Sequence, residues 1–399
     1  MFLTRDSSQL GIYIHFPFCV QKCYYCDFYS LEIKKNSTDF IQNLFTKRIL
    51  EELNVRYPYF KNFSVINTIY FGGGTASFLD SMHIKKILQG IQDYFQISKN
   101  CEITLEGNPE HLYKEEYLQS LKEVGINRIS VGFQTYQFDF LKQMNRFFDP
   151  SHYEKVLYEI SKNFENWNVD LIYGFPNQNF NDFIKDLNYC LSFKPKHISC
   201  YSLTLERNTM YFKKIKEKIL KKPNQKLQEK IFYILPNILK KLNFQLYEVS
   251  NYALKNYFCR HNLRYWLYEP YLGLGPSAHS FNGIYRSHNP RNWEKWSKEF
   301  SFSYQKHNPL QELPITLFRL KIPIYYKWIQ EVLGDQSDLI FEFFLKWEER
   351  GFGKNNLKKE PFFLWNYKGL SLLDTILLEF YQTLDNAKFL KSKIDKTAT

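Results

Sequence analysis

Cys19-Val20-Gln21-Lys22-Cys23-Tyr24-Tyr25-Cys26 sets three cysteines at spacings of four and then three residues, directly after the apolar run Ile12-Tyr13-Ile14-His15-Phe16. That spacing lets one tight loop offer three thiolates to three corners of an iron–sulfur cube and leaves the fourth iron open to a small molecule. A structural zinc ion needs a fourth ligand, and the nearby His15 and Asp27 are poorly placed to supply it. Three unrelated buried thiols are the remaining alternative. A loop of this kind at the end of a strand frames the rest of the chain, because parallel α/β folds gather their chemistry at the carboxyl ends of strands.

Outward from that loop, apolar runs rich in β-branched residues alternate with longer stretches of helical period as far as residue 205. Strands are predicted at residues 12–16, 65–71, 102–105, 128–133, 168–173 and 197–203, and amphipathic helices at 80–95, 114–124 and 181–192 among others. Right-handed crossovers between such units predict an α/β fold, a partial (β/α)6 barrel of TIM type. The strand ends carry residues that packing does not explain. Gly72-Gly73-Gly74-Thr75 follows the second strand, Glu106-Gly107-Asn108-Pro109 the third and Gln134 the fourth, while Asp170 and Gly174-Phe175-Pro176 mark the fifth. Glycines at such a rim let backbone groups approach a bound amino-acid head. Glu106, Gln134, Arg146 and Asp170 add a carboxylate, an amide, a cation and a second carboxylate, a set suited to ribose hydroxyls, an ammonium and a carboxylate.

With 399 residues the chain is long for one compact domain, and 44% hydrophobic against 24% charged residues excludes global disorder. The βα alternation predicts a core over residues 1–240, a connecting segment over 241–290 and a smaller, mostly helical domain over 291–399 with a small hairpin around 362–367. A net charge of +12 and a pI near 9.1 invite an anionic partner. Lysine far outnumbers arginine, however, and Asn, Phe, Ile and Tyr abound, so the charge reads as compositional bias. The lysine-rich stretch 213–222 reads as a solvated helix face. No nucleic acid is therefore expected, and peripheral contact with a membrane surface is the residual expectation of the charge. No run of eighteen apolar residues occurs, and Met1-Phe2-Leu3-Thr4-Arg5-Asp6 lacks the features of a secretory signal, so a cytoplasmic location is expected. In that reducing compartment, three crowded cysteines read as metal ligands rather than disulfides.

The cysteine loop, the aromatic before its third cysteine and the Gly-Gly-Gly-Thr turn resemble the radical S-adenosylmethionine enzymes. The resemblance implies that Cys19, Cys23 and Cys26 hold a [4Fe–4S] cluster whose open iron is chelated by the methionine moiety of S-adenosylmethionine. It implies further that an electron from the reduced cluster cleaves the sulfonium to give a 5′-deoxyadenosyl radical. Tyr13, Gly73, Gly74, Thr75, Glu106, Gln134, Arg146 and Asp170 are then the expected cofactor-binding residues, and an electron donor such as flavodoxin or ferredoxin the expected reductant.

Four further stretches narrow the resemblance to the oxygen-independent coproporphyrinogen III oxidases and their HemW-like haem-chaperone relatives. They are Tyr13-Ile14-His15-Phe16-Pro17-Phe18-Cys19, Arg128-Ile129-Ser130-Val131-Gly132-Phe133-Gln134, Asp170-Leu171-Ile172-Tyr173-Gly174-Phe175-Pro176 and Tyr271-Leu272-Gly273-Leu274-Gly275-Pro276. Tyr367-Lys368-Gly369-Leu370 is similar to part of the branch's winged-helix-like carboxyl-terminal domain. Three features favour the chaperones. The oxidases have a fourth cysteine where this chain has Phe28; the chaperones have a His-Asn-x-x-Tyr-Trp motif, here His261-Asn262-Leu263-Arg264-Tyr265-Trp266; and the oxidases' amino-terminal extension has no counterpart before Cys19.

The chaperone resemblance implies that the chain binds haem and passes it to an acceptor protein; oxidation of coproporphyrinogen III, with Phe28 against it, is the enzymatic alternative, and a nucleic-acid-modifying radical enzyme a remote one. His261 is the expected haem ligand, with Cys259 and His279 as competitors and Arg260 or Arg264 as partners for the propionates. Phe28 is expected to be a buried packing residue. Two departures from the family pattern are Ala76, where many members have Pro, and Asn145-Arg146-Phe147-Phe148 in place of Gly-Arg-x-His. Neither removes a group that would chelate the methionine.

Overall fold

The computed structural model of the protein describes residues 5–33, 38–146 and 149–397. Phe147 and Phe148 lie outside the described residues, as do the first four residues of the stretch read for a secretory signal.

Strands β1 (Leu10–Phe16), β2 (Val65–Gly73), β3 (Gln96–Gly107), β4 (Arg128–Gln134), β5 (Trp167–Tyr173) and β6 (His197–Ser202) lie side by side and parallel. Helices α1 (Thr38–Arg56), α2 (Ser81–Gln92), α3 (Glu115–Glu123), α4 (Phe138–Gln143), α5 (Tyr153–Asn163) and α6 (Phe180–Ser192) fill the crossovers. The six strands expected from the sequence are all present. The third is longer than expected because Gln96 and Ile97 continue the pairing with Val65 and Ile66 past a register shift.

Side chains on a strand alternate between faces, and here the two faces differ in chemistry. Ile12, Ile14, Phe16, Ile69, Phe71, Ile129, Val131, Val169 and Leu171 are fully buried in the core shared with the helices. Each contributes ~1.5–3 kcal/mol by leaving water. The alternate positions Tyr13, His15, Tyr70, Glu106, Ser130 and Asp170 project to the concave face. A parallel sheet covered on both sides normally reads as apolar on both; the polar concave face marks where the barrel holds its site.

After α7 (Met210–Lys216) and α8 (Gln225–Lys240), the short strands β7 (Gln245–Glu248) and β8 (Asn251–Ala253) add antiparallel pairing beyond β6. Helix α9 (Arg260–Trp266) then leads back across the barrel to β9 (Tyr271–Leu274), which pairs parallel to β1. Strands β10 (His279–Phe281), β11 (Tyr285–His288) and β12 (Ser303–Lys306) extend that edge, with α10 (Trp293–Lys298) between the last two. The sheet thus holds twelve strands in the order β12-β11-β10-β9-β1-β2-β3-β4-β5-β6-β8-β7. The seventh parallel strand, β9, was not expected, since four residues interrupted by Gly273 carry too little β pattern.

Beyond β12, helices α11 (Pro309–Leu317), α12 (Tyr326–Leu333), α13 (Asp338–Glu349), α14 (Tyr367–Ser371) and α15 (Leu373–Thr397) surround a small antiparallel sheet. That sheet consists of β13 (Ile324–Tyr325), β14 (Gly353–Asn356) and β15 (Phe362–Trp365), with β15 in the middle. Its core is aromatic: Phe344 stacks on Phe363 at 4.2 Å, and Phe318 meets Trp365 edge-on.

Candidate functional site

The cysteine loop is fastened at both ends. Phe18–Cys19 pairs with Leu31–Glu32, and Ile33 N donates to the Cys19 carbonyl at 3.0 Å, so the chain returns to where it left. Gly74 N donates to Phe16 O at 2.7 Å and Thr75 N to Phe18 O at 2.8 Å, tying the loop to the end of β2. On the far side Asn145 Nδ2 donates to Lys22 O, and Tyr24 N to Met144 O, each at 2.9 Å. Cys19, Cys23 and Cys26 are free thiols lining one pocket. Among the described residues no three His, Cys, Asp or Glu side chains converge as a single ion would need. Three thiols are one ligand short of the closed tetrahedron of a structural zinc ion.

Burial pushes the Cys26 thiol up to about 11 and raises Cys19, opposed at Cys19 by the Thr75 hydroxyl, which donates to its sulfur at 3.4 Å. Empty of metal, these two thiols keep their protons at neutral pH, so loading the loop releases protons.

The same pocket is lined by Gly73, Gly74, Thr75, Glu106, Gln134, Arg146 and Asp170, seven of the eight residues expected to bind the cofactor. Register explains the convergence: Glu106 opposes Ser130 on β4, and Gly132 opposes Asp170 on β5. Gly74 has no room for a side chain, since a Cβ would fall 2.7 Å from Phe18 O, and Gly73 takes φ +113°. A register shift between Gly132 and Gln134 leaves Gln134 at φ +67°, a costly backbone for a residue with a side chain, and turns its amide into the pocket. Tyr13, the eighth residue, does not line the pocket; it stands one strand over, with its hydroxyl 3.0 Å from His15 Nδ1 and its ring against Tyr70.

Arg146 is buried and bridges the two halves of the site. Its Nη2 donates to Gly132 O at 2.6 Å and to Asn108 Oδ1 at 3.1 Å, and its Nη1 lies 3.9 Å from the Cys23 sulfur. Asn108 in turn donates to Thr75 Oγ1 at 3.1 Å. Burial, with the Asp170 charge second, pushes the Glu106 carboxyl up to about 8; burial also raises Asp170, which accepts from Asn168 Nδ2 at 2.8 Å. The buried Arg128, whose Nε has no hydrogen-bond partner among the described residues, partly opposes both rises. Asn108 and Arg128 were overlooked as site residues although both belong to quoted stretches. Their signal was position alone, a polar residue just past β3 and a cation opening β4.

Two expected residues have other surroundings. His261 is 1% exposed, with Nδ1 2.9 Å from Thr68 Oγ1 and Nε2 2.8 Å from the Tyr265 hydroxyl, so neither ring nitrogen is free in this conformation. Phe28, expected to be buried, is 65% exposed at the pocket rim, because the loop turns outward after Cys26.

A sequence profile of the Radical SAM superfamily matches residues 13–190. The fold matches that of coproporphyrinogen III oxidase (HemN) from Escherichia coli with a TM-score of 0.75, over 93% of this chain and 90% of that one, at 19% identity. Fold and cysteine loop together define a radical S-adenosylmethionine protein. Heme chaperone HemW of Buchnera aphidicola subsp. Schizaphis graminum is 35% identical over 93% of this chain and 98% of its own length. Heme chaperone HemW of Escherichia coli (strain K12) is 33% identical over 68% of this chain and 69% of its own. The chain belongs to the HemW family.

Proposed function

We propose that this chain holds one [4Fe–4S] cluster on Cys19, Cys23 and Cys26, takes S-adenosylmethionine along the adjoining rim, and carries haem to an acceptor protein in the cytoplasm. The observation that carries the haem reading is the near full-length similarity to a protein named heme chaperone HemW. Phe28 supports it, since an apolar side chain stands at the rim where the oxidase branch is expected to have a thiol.

The residues present fit the implied groups. Three thiols with no disulfide partner face one pocket, the Arg146 cation offsets thiolate charge at Cys23, and Gly74, lacking a Cβ, packs directly on the Phe18 backbone that leads into the cysteine loop. When reduced and bound, such a cluster supplies an electron to the sulfonium of the methionine derivative. The chain's own part is placement: Glu106 and Asp170 accept donors of the cofactor, and Gln134 offers its amide. Helix α7 packs on the loop, with Tyr211 N donating to Tyr24 O at 2.9 Å and Lys214 4.7 Å from the Tyr24 ring. Its lysines present a cationic surface beside the cluster that suits an acidic electron donor such as flavodoxin or ferredoxin.

The test is anaerobic incubation of reconstituted protein with coproporphyrinogen III, S-adenosylmethionine and a strong reductant. No protoporphyrinogen IX is expected; formation at enzyme-like rates would establish the oxidase reading instead.

A further inference from the structure

We propose that His279 and His288 form the iron-ligating end of the haem site, an inference that rests on the haem-carrying function proposed above. The two residues are opposed across β10 and β11, their ring centroids are 5.6 Å apart with planes at 28°, and both are exposed.

Position places them on the working side of the sheet. Tyr13 is paired with Gly273 of β9, and a Cβ on Gly273 would meet the His279 backbone, so His279 neighbours that position in the next strand. Directly opposed residues project to one face, and the face shared with Tyr13 is the concave one. His15, on that face, has both Arg291 and His279 in its surroundings. Arg291, with its side chain half exposed, pairs with Asp27 at 3.7 Å, directly after Cys26. An imidazole pair and a cation for a propionate thus lie between the β9 edge and the cluster loop.

The chemistry of the pair suits a ligand that must later be released. His288 Nδ1 is 3.3 Å from Ser303 Oγ, the outer contact that characteristically orients a metal-binding imidazole and leaves Nε2 for the metal. The His279 ring has no hydrogen-bond partner among the described residues, so its nitrogens are free to meet a metal ion. Side-by-side rings cannot clamp one iron from opposite faces. One ring ligates at a time and the other stands ready, which leaves the far face of the haem iron open to an acceptor's ligand.

The competing places lack one requirement each. His261 has both nitrogens engaged, and Cys259 is fully buried beside Glu102. The cavity of about 810 Å³ between α9 and the amino ends of the strands has room for a porphyrin, but among the described residues no His, Cys, Met or Tyr lines it.

The experiment titrates haemin, and separately metal-free protoporphyrin IX, into the cluster-loaded protein and into H279A, H288A and H279A/H288A. Absorption and electron paramagnetic resonance report the iron ligand. Either single variant should retain an imidazole-ligated haem with affinity reduced severalfold. The double variant should lose the imidazole signature and bind haemin at least tenfold more weakly, with metal-free porphyrin affinity unchanged. An unaltered imidazole signature and affinity in the double variant, or an equal loss of metal-free porphyrin, would overturn the site. Absence of saturable haemin binding by the unsubstituted protein would overturn the haem-carrying function itself, so the two failures are distinguishable.

Discussion

The Arg146 guanidinium lies 3.9 Å from the Cys23 sulfur while its other terminal nitrogen is bonded to Gly132 and Asn108. A buried cation held at a cluster thiolate stabilises the more negative, reduced form. Arg146→Met should therefore lower the cluster's reduction potential by on the order of 50 mV, nearly a decade in a one-electron equilibrium. Arg146→Lys should restore part of the shift, since charge returns without the fork. Redox titration of the reconstituted variants reads the effect, and an unchanged potential in Arg146→Met would remove the electrostatic role.

The other four cysteines sit in the core: Cys190 and Cys259 are fully buried, Cys200 is 3% and Cys101 4% exposed. Changing all four to Ala should leave about four irons per chain after reconstitution, whereas Ala at any one of Cys19, Cys23 or Cys26 should abolish a stable cluster. Iron and sulfide analysis beside the charge-transfer absorption distinguishes the sets. Loss of the cluster from the fourfold variant would break the assignment.

Glu106 makes the cofactor site pH-dependent. Its carboxyl rises from 4.5 to about 8, so the ligand-free protein holds that proton at neutral pH and loses stability as the pH climbs through this range. If the ionised carboxylate receives the cofactor's ammonium, affinity for S-adenosylmethionine should increase up to tenfold per pH unit between 6 and about 8, then level. Glu106→Gln should flatten that dependence and weaken binding at pH 8 by about ten- to a hundredfold. Isothermal titration at several pH values checks both; parallel pH profiles for the two proteins would exclude Glu106.

How much of this was legible in the sequence depended on the local strength of each signal. The runs that became β1 to β6 place most of their Ile and Val on the helix-facing side, and the rim residues follow directly at their ends. Strand β9 was illegible because Gly273 is required by the approach of the His279 carbonyl, a contact between strands that no local pattern announces. The aim of Gln134 depends on a register shift against β5, also a non-local event. His261, with its aromatic neighbours, was read as the expected haem ligand. Those neighbours bury it, because α9 lays its ring between Thr68 of β2 and Tyr265.

That burial gives His261 a structural signature of its own. His261→Ala leaves the Thr68 and Tyr265 hydroxyls without their partner and should lower stability by about 1–3 kcal/mol, with the spectrum of bound haem unchanged. Denaturant unfolding and haem absorption, measured on one preparation, separate the two effects. A native-like stability with a lost imidazole signature would make His261 the ligand instead.

The central claim, that this chain is a haem carrier, is tested most directly by equilibrium titration of the cluster-loaded protein with haemin, followed in the Soret region. The account predicts a saturable change reaching about one haem per chain, with micromolar or tighter affinity. A signal that rises in proportion to added haemin without saturation would contradict it.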